Sequence, residues 1–176
     1  MHVFWRQGYE GTGLVDLERA TGLGRQSLYG VFGDKRGLFL RVIEHYFERV
    51  LKPGIDFLDA EGSARAHLEQ VLCGWEALAS SPEFNGCLVG NTVPEMSARD
   101  NELAAVLARK LELMEAGFTR ALKRAKRDGE VRPELDVKST ARALLTLAQG
   151  LAVVARAQRD PSFVRGVVQA ARRLLD

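Results

Sequence analysis

Side chains able to do chemistry are concentrated in one short stretch of this chain and scattered elsewhere. Residues 25–36 carry three basic groups and one acid, and the helical part of that stretch, Arg25–Phe32, has no acid. Outside it, the residue types that build active sites do not assemble. His2, His45 and His67 stand apart, and neither Cys73 nor Cys87 pairs with them at metal-ligand spacing. Gly11-Thr12-Gly13 is a lone Gly-x-Gly without a preceding strand, so it fails as a dinucleotide fingerprint. No nucleophile and base stand together. No catalytic residue, cofactor or metal is expected, and an enzyme is disfavoured.

The elements that must position residues 25–36 are helical throughout. Leu14–Thr21 has Leu14, Leu17 and Ala20 at three-residue intervals. Gly22-Leu23-Gly24 makes a tight turn, with Gly22 suited to positive φ. Arg25–Phe32 follows as a second short helix, its Leu28, Val31 and Phe32 expected inward. Two short helices joined by a glycine turn form a helix-turn-helix, whose second helix can lie in the DNA major groove. Together with Phe39, these apolar residues are expected to form a small core.

The rest is all-α as well. A helix over 34–51 is expected to stop at Lys52-Pro53-Gly54. Ser63 caps the next, which ends at Ser80-Ser81-Pro82, and residues 87–96 form a short helix interrupted near Pro94. Asp100 caps a long helix that closes near Asp128-Gly129. Asp136 and Asp160 open the last two, over 137–159 and 162–175. The chain has 176 residues and a formal charge of +2, and residues 1–51 hold 7 basic against 6 acidic groups. Favourable charge for nucleic acid is therefore local to 25–36. The longest apolar stretch, residues 143–155, falls short of the roughly 20 residues of a membrane span. No secretory leader is visible at Met1-His2-Val3. A cytoplasmic protein without membrane attachment is expected.

The string from Gly8 to Val50 resembles the DNA-binding domain of TetR-family transcriptional regulators. The resemblance rests on Phe4, Gly8, Tyr9, Thr12, Leu14, Leu17, Ala20, Gly22, Leu28, Tyr29, Phe32, Gly33, Lys35 and Leu38. The later helices and the segment GCLVGNTVPEMSARDNEL look like the ligand and dimerisation domain of one TetR subgroup. It implies a homeodomain-like helix-turn-helix domain over 1–46 and a helical ligand-binding and dimerisation domain over 47–176. It further implies a ligand-responsive repressor acting as a homodimer on near-palindromic double-stranded operator DNA. Relative to the family pattern the first helix starts part-way along. The competing expectation is therefore a helical small-molecule-binding module whose DNA binding is weak or lost.

By resemblance and position, Arg25 and Gln26 would read base edges, Arg suiting guanine and Gln adenine. Tyr29 and Lys35 look like the family's phosphate-contacting pair, with Ser27 and Thr12 as lesser candidates, and Thr12 is expected to cap the second helix. Tyr29 could instead be a core aromatic. In the larger domain Trp75, Phe84, Cys87, Leu88, Asn91, Met96, Met114, Phe118 and Gln149 could line the cavity of an unidentified small-molecule effector, or be plain bundle core. Cys87 near a helix N-terminus would be either a buried inert thiol or a reactive one with a lowered pKa. The basic clump from Arg120 to Arg127 is expected to solvate the end of the long helix. Residues 137–175 would form the dimer interface, because the first of the two helices there is apolar nearly all round.

Overall fold

Side-chain oxygens of Asp34, Ser63, Asp100, Asp136 and Asp160 each accept a backbone N–H at a helix start, so the caps legible in the sequence set most of the boundaries. The structure, a computed structural model, describes residues 1–158 and 160–176. The helices are α1 (His2–Gln7), α2 (Leu14–Thr21), α3 (Arg25–Phe32), α4 (Lys35–Tyr46), α5 (Lys52–Leu58), α6 (Ala64–Ala79), α7 (Leu88–Met96), α8 (Asn101–Arg127), α9 (Val137–Val154) and α10 (Pro161–Arg173). No strand occurs among the described residues. The expected helix over 137–159 ends at Val154, and Arg159 lies outside the described residues.

Two expectations about proline are corrected. Lys52-Pro53-Gly54 does not stop the helix that begins at Lys35. The chain passes through a π-helical turn, Phe47–Leu51, and continues as α5 to Leu58. Pro53 has no N–H to give the carbonyl of Arg49. The wider turn ahead of it, with Lys52 N bonded to the Phe47 carbonyl, absorbs that loss without breaking the rod. Likewise Pro94 lies within α7, which runs on to Met96.

The buried apolar residues form two clusters. One fills the bundle of α6, α8, α9 and α10, with Leu68, Leu72, Phe118, Leu122, Leu144 and Val168 at its centre. The other joins the N-terminal helices to the body. Phe4, Leu28, Phe39 and Ile43 pack in one cluster with Leu88 and Val89 of α7 and Leu103 and Leu107 of α8. Val31 is a correction: it was expected in this core but is 75% exposed. A helix of two turns buries one narrow stripe, and Leu28 and Phe32 already occupy it.

The basic end of α8 does more than meet solvent. Arg120 pairs with Asp59 at 2.7 Å, and Arg124 donates to the carbonyls of Leu58, Ala60 and Gly62. Lys126 reaches the Leu135 carbonyl at 2.9 Å. Arg124 thereby satisfies open carbonyls at the C-terminus of α5 and in the loop that follows it.

Trp5 belongs to the N-terminal helices, where its ring meets Tyr46 edge-on at 5.0 Å, and Trp75 sits in the body against Phe118 at 6.0 Å. Because the second cluster spans both regions, single-tryptophan variants Trp5→Phe and Trp75→Phe should report the same urea midpoint for the tryptophan that remains. Separate midpoints would show the N-terminal helices unfolding on their own.

Candidate nucleic-acid interface

Helix α3 is positioned from both ends. Gly22, at φ +70°, closes α2 in the left-handed region and starts the turn, as expected of a glycine there. Gly24, the N-cap of α3, has no side chain with which to cap it, and Glu18 of α2 supplies the acceptor instead: Arg25 N donates to its Oε1 at 2.7 Å. At the C-terminal side Asp34 takes the Gly37 N–H and begins α4. Leu28 is buried at the centre.

The expected DNA-contacting residues sort by exposure. Arg25, Gln26 and Ser27 are exposed on the first turn of α3. Tyr29 is half-buried, and the Arg25 guanidinium lies 5.9 Å from its ring centre. Lys35 Nζ sits 4.5 Å from the centre of the Tyr9 ring. That contact orients the ammonium without neutralising it. Thr12 is the exception. It is fully buried, and its hydroxyl donates to the Gly8 carbonyl at 2.6 Å, leaving nothing for a phosphate. Nor does it cap α2: Gly13 is the N-cap, and Asp16 accepts its N–H at 3.0 Å.

Several clasps hold these helices to the body. Glu95 of α7 accepts N–H groups from Tyr9 at 3.1 Å and Glu10 at 2.7 Å. Gly8, at φ +77°, passes so close to Glu95 that an added Cβ would come within 2.9 Å of its carboxylate. Trp5 donates to the Gly86 carbonyl at 3.0 Å, and Arg99 pairs with Glu10. Arg36 at the start of α4 makes two bonds to Asp100 and one to Glu102 at the start of α8. The Arg36 bonds hold the Asp100 carboxyl down to about 2, helped by the Leu103 N–H. Arg36 is thereby taken out of the basic stretch as a DNA contact.

The nine expected cavity residues fall into separate groups. Cys87, Met114 and Gln149 come together: Gln149 Nε2 stands 3.9 Å from Met114 Sδ, and its side chain also lies against the Cys87 thiol. The Oε1 of Gln149 is buried without a partner against Gly90, where an added Cβ would approach it to 2.1 Å. Asn91 donates to the Asn85 carbonyl at 2.8 Å, and its own oxygen is buried and unpaired. Leu88 and Asn91 both line a cleft of about 210 Å³ between α1 and α7. Trp75 and Phe118 pack on each other in the bundle core, Phe84 bridges the two apolar clusters, and Met96 is buried in the second. Cys87 is the N-cap of α7 and accepts the Gly90 N–H, yet burial pushes its thiol pKa up. Of the two readings of this thiol, the buried environment favours the inert one over a lowered pKa.

Two family profiles match this architecture. One, described as bacterial regulatory proteins of the tetR family, covers residues 1–42; the other, described as a tetracyclin repressor-like C-terminal domain, covers residues 64–171. Over its whole length the chain is 33% identical to the HTH-type transcriptional regulator YezE of Bacillus subtilis strain 168, spanning 92% of that protein. The chain belongs to the TetR family. Its helix-turn-helix is the DNA-binding element of a transcriptional regulator. The HTH-type transcriptional repressor ComR of Escherichia coli K12 is 30% identical across 89% of this chain and 75% of its own length. Among solved structures, a cysteine mutant of the TetR-family regulator CifR, complexed with a 26-base-pair operator duplex, superposes with a TM-score of 0.84. It is 30% identical, over 99% of this chain and 91% of that one. The reduced form of NemR from Escherichia coli matches at 0.87 with 16% identity, over 99% and 92%, a likeness of fold.

In this TetR-family chain the clasp carboxylates that sequence reasoning passed over are Glu18 and Glu95, while Asp100 was read only as a helix cap and not as the partner of Arg36. Only the helix N-terminus at Gly24, bare of a capping side chain, hinted at one of them. Their partners are 7, 86 and 64 positions away, beyond any local pattern.

The Arg36–Asp100 pair makes a prediction about acid. Because the folded carboxyl sits below the roughly 3.9 of an unfolded Asp, the pair adds stability above about pH 4 and loses it as pH falls toward 2. The Asp100→Asn variant should be less stable than the parent at pH 6. Its stability should change less than the parent's between pH 4 and 2, read by urea midpoints across that range.

Proposed function

We propose that the chain is a ligand-responsive repressor that acts in the cytoplasm as a homodimer on a near-palindromic operator. Residues 1–46 form the reading head and 47–176 the effector-binding and dimerising body. The observation that carries the mechanism is the apolar cluster shared by α1, α3 and α4 with α7 and α8, locked by Glu95 and Arg36. A head built into the body in this way cannot swing freely. Any shift of α7 or α8 on effector binding has to move α3. The effector then needs only a higher affinity for the dimer whose two α3 helices are wrongly spaced for adjacent major grooves. The name of ComR as a repressor and the operator complex of CifR support the same direction.

Dimerisation is supported by what α9 and α10 leave uncovered. Ala143, Leu147, Gly150 and Val154 run along one side of α9, and Val153 and Val154 are 49% and 43% exposed. Phe163, Val167 and Leu174, each half-buried against the bundle core, and exposed Ala170 form a matching stripe on α10. Two apolar stripes on adjacent helices pair with their own copies about a two-fold axis as a four-helix bundle. Within the body, Gln149 and Asn91 bring buried unpaired oxygens that a donor group on an effector would satisfy.

In this reading Arg25 and Gln26 read bases, while Tyr29 and Lys35, with Ser27 beside them, hold phosphates. Tyr29→Ala and Lys35→Ala should weaken binding to all duplexes and lower the salt slope by about one for Lys35. Gln26→Ala should change preference at one base pair, a discrimination of about 1–3 kcal/mol. Fluorescence anisotropy on a duplex selected by the parent from a random library, with single base-pair changes, measures both. A Gln26→Ala variant that weakens all sequences alike would remove its base-reading role. Sedimentation equilibrium should give a dimer, and Val154→Glu a monomer that binds operator at least tenfold more weakly.

A further inference from the structure

Helix α3 carries two residues that its own fold does not explain. Val31 is 75% exposed, more than any other large hydrophobic side chain among the described residues. Gly30, beside it, is exposed and helical, and an added Cβ there would meet nothing within 4 Å. Neither backbone conformation nor packing requires a glycine at this point, although glycine weakens a helix interior.

Position on the helix says what the pair faces. With Leu28 inward and 3.6 residues per turn, Gln26 and Gly30 point away from the core. Ser27 and Val31 share one flank at four-residue spacing, and Arg25 and Tyr29 share the other. Val31 is therefore exposed on the Ser27 flank of an acid-free helix, beside the outward-pointing Gly30.

We propose that Val31 reads a thymine, its isopropyl group packing on the C5-methyl of one T, and that Gly30 lets α3 settle deeply enough for the contact. The inference rests on the placement of α3 in the major groove. The thymine methyl is the apolar mark on the major-groove edge of a base pair, and apolar side chains are its complement. Valine is short compared with Arg or Gln, so its methyl groups reach a base edge only if the helix backbone lies close. A side chain at position 30, at the crown of the helix, would hold the backbone away. Leaving that crown bare removes the obstacle, and burying the valine against a methyl removes apolar surface from water on both partners. Arg25, Gln26 and Val31 would then read guanine, adenine and thymine features from one helix.

The test deletes the methyl from the DNA. A duplex enriched by the parent protein from a random library is remade with each thymine replaced singly by deoxyuridine, and affinities are measured at one salt concentration. At one thymine per half-site the parent should lose about fourfold in affinity for each methyl removed. Val31→Ala should bind the T and U duplexes there equally. Gly30→Ala should unfold at the same or higher temperature, yet bind the operator at least tenfold more weakly and lose the T/U difference. A parent protein that enriches no duplex overturns the placement of α3 in DNA, and this inference with it. A parent that enriches one overturns the inference alone if no thymine distinguishes it from Val31→Ala, or if Gly30→Ala binds as tightly as the parent.

Discussion

The N-terminal helices of this protein share one apolar core with its body. Phe4, Leu28, Phe39 and Ile43 find the rest of their partners in Leu88, Val89, Leu103 and Leu107. The polar contacts across the same junction follow from that packing. Where α7 lies against the loop between α1 and α2, Glu95 accepts the backbone N–H groups of Tyr9 and Glu10. Arg36, brought against the start of α8, holds in place the Asp100 carboxylate that caps it.

That constraint ties the helix-turn-helix to the packing of the body. The α4 rod continues through its π-helical turn into α5 and is gripped at its far end by Arg120 and Arg124 of α8. The same helix α8 holds Arg36 near its start through Asp100 and Glu102. One long helix therefore grasps both ends of the connection between head and body. Between them, Tyr46 on α4 and Gln149 of α9 both lie against the Cys87 thiol at the start of α7. A change in how α7, α8 and α9 pack has a direct physical route to α3.

Much of this was legible in the residues. Leu14–Thr21 and Arg25–Phe32 stand where their apolar spacing and flanking glycines put them, and Ser63, Asp100, Asp136 and Asp160 cap the helices they precede. Local rules failed where a neighbour in space outweighed them. Pro53 reads as a helix stop, but the rod is held by packing on both sides and widens instead of ending. Thr12 reads as a cap, but the loop around Gly8 turns it inward. Val31 reads as core at three residues from Leu28, but the body covers only the stripe of Leu28 and Phe32.

The sequence by itself determined the helical class, the helix-turn-helix and the local excess of positive charge over residues 25–36. All of these follow from residues within a turn or two of one another. Only the tertiary structure decided which side chains of α3 face outward, and which carboxylates join the N-terminal helices to the body. Those outcomes depend on partners tens of residues away, whose approach is governed by burial of a shared core rather than by any pattern along the chain.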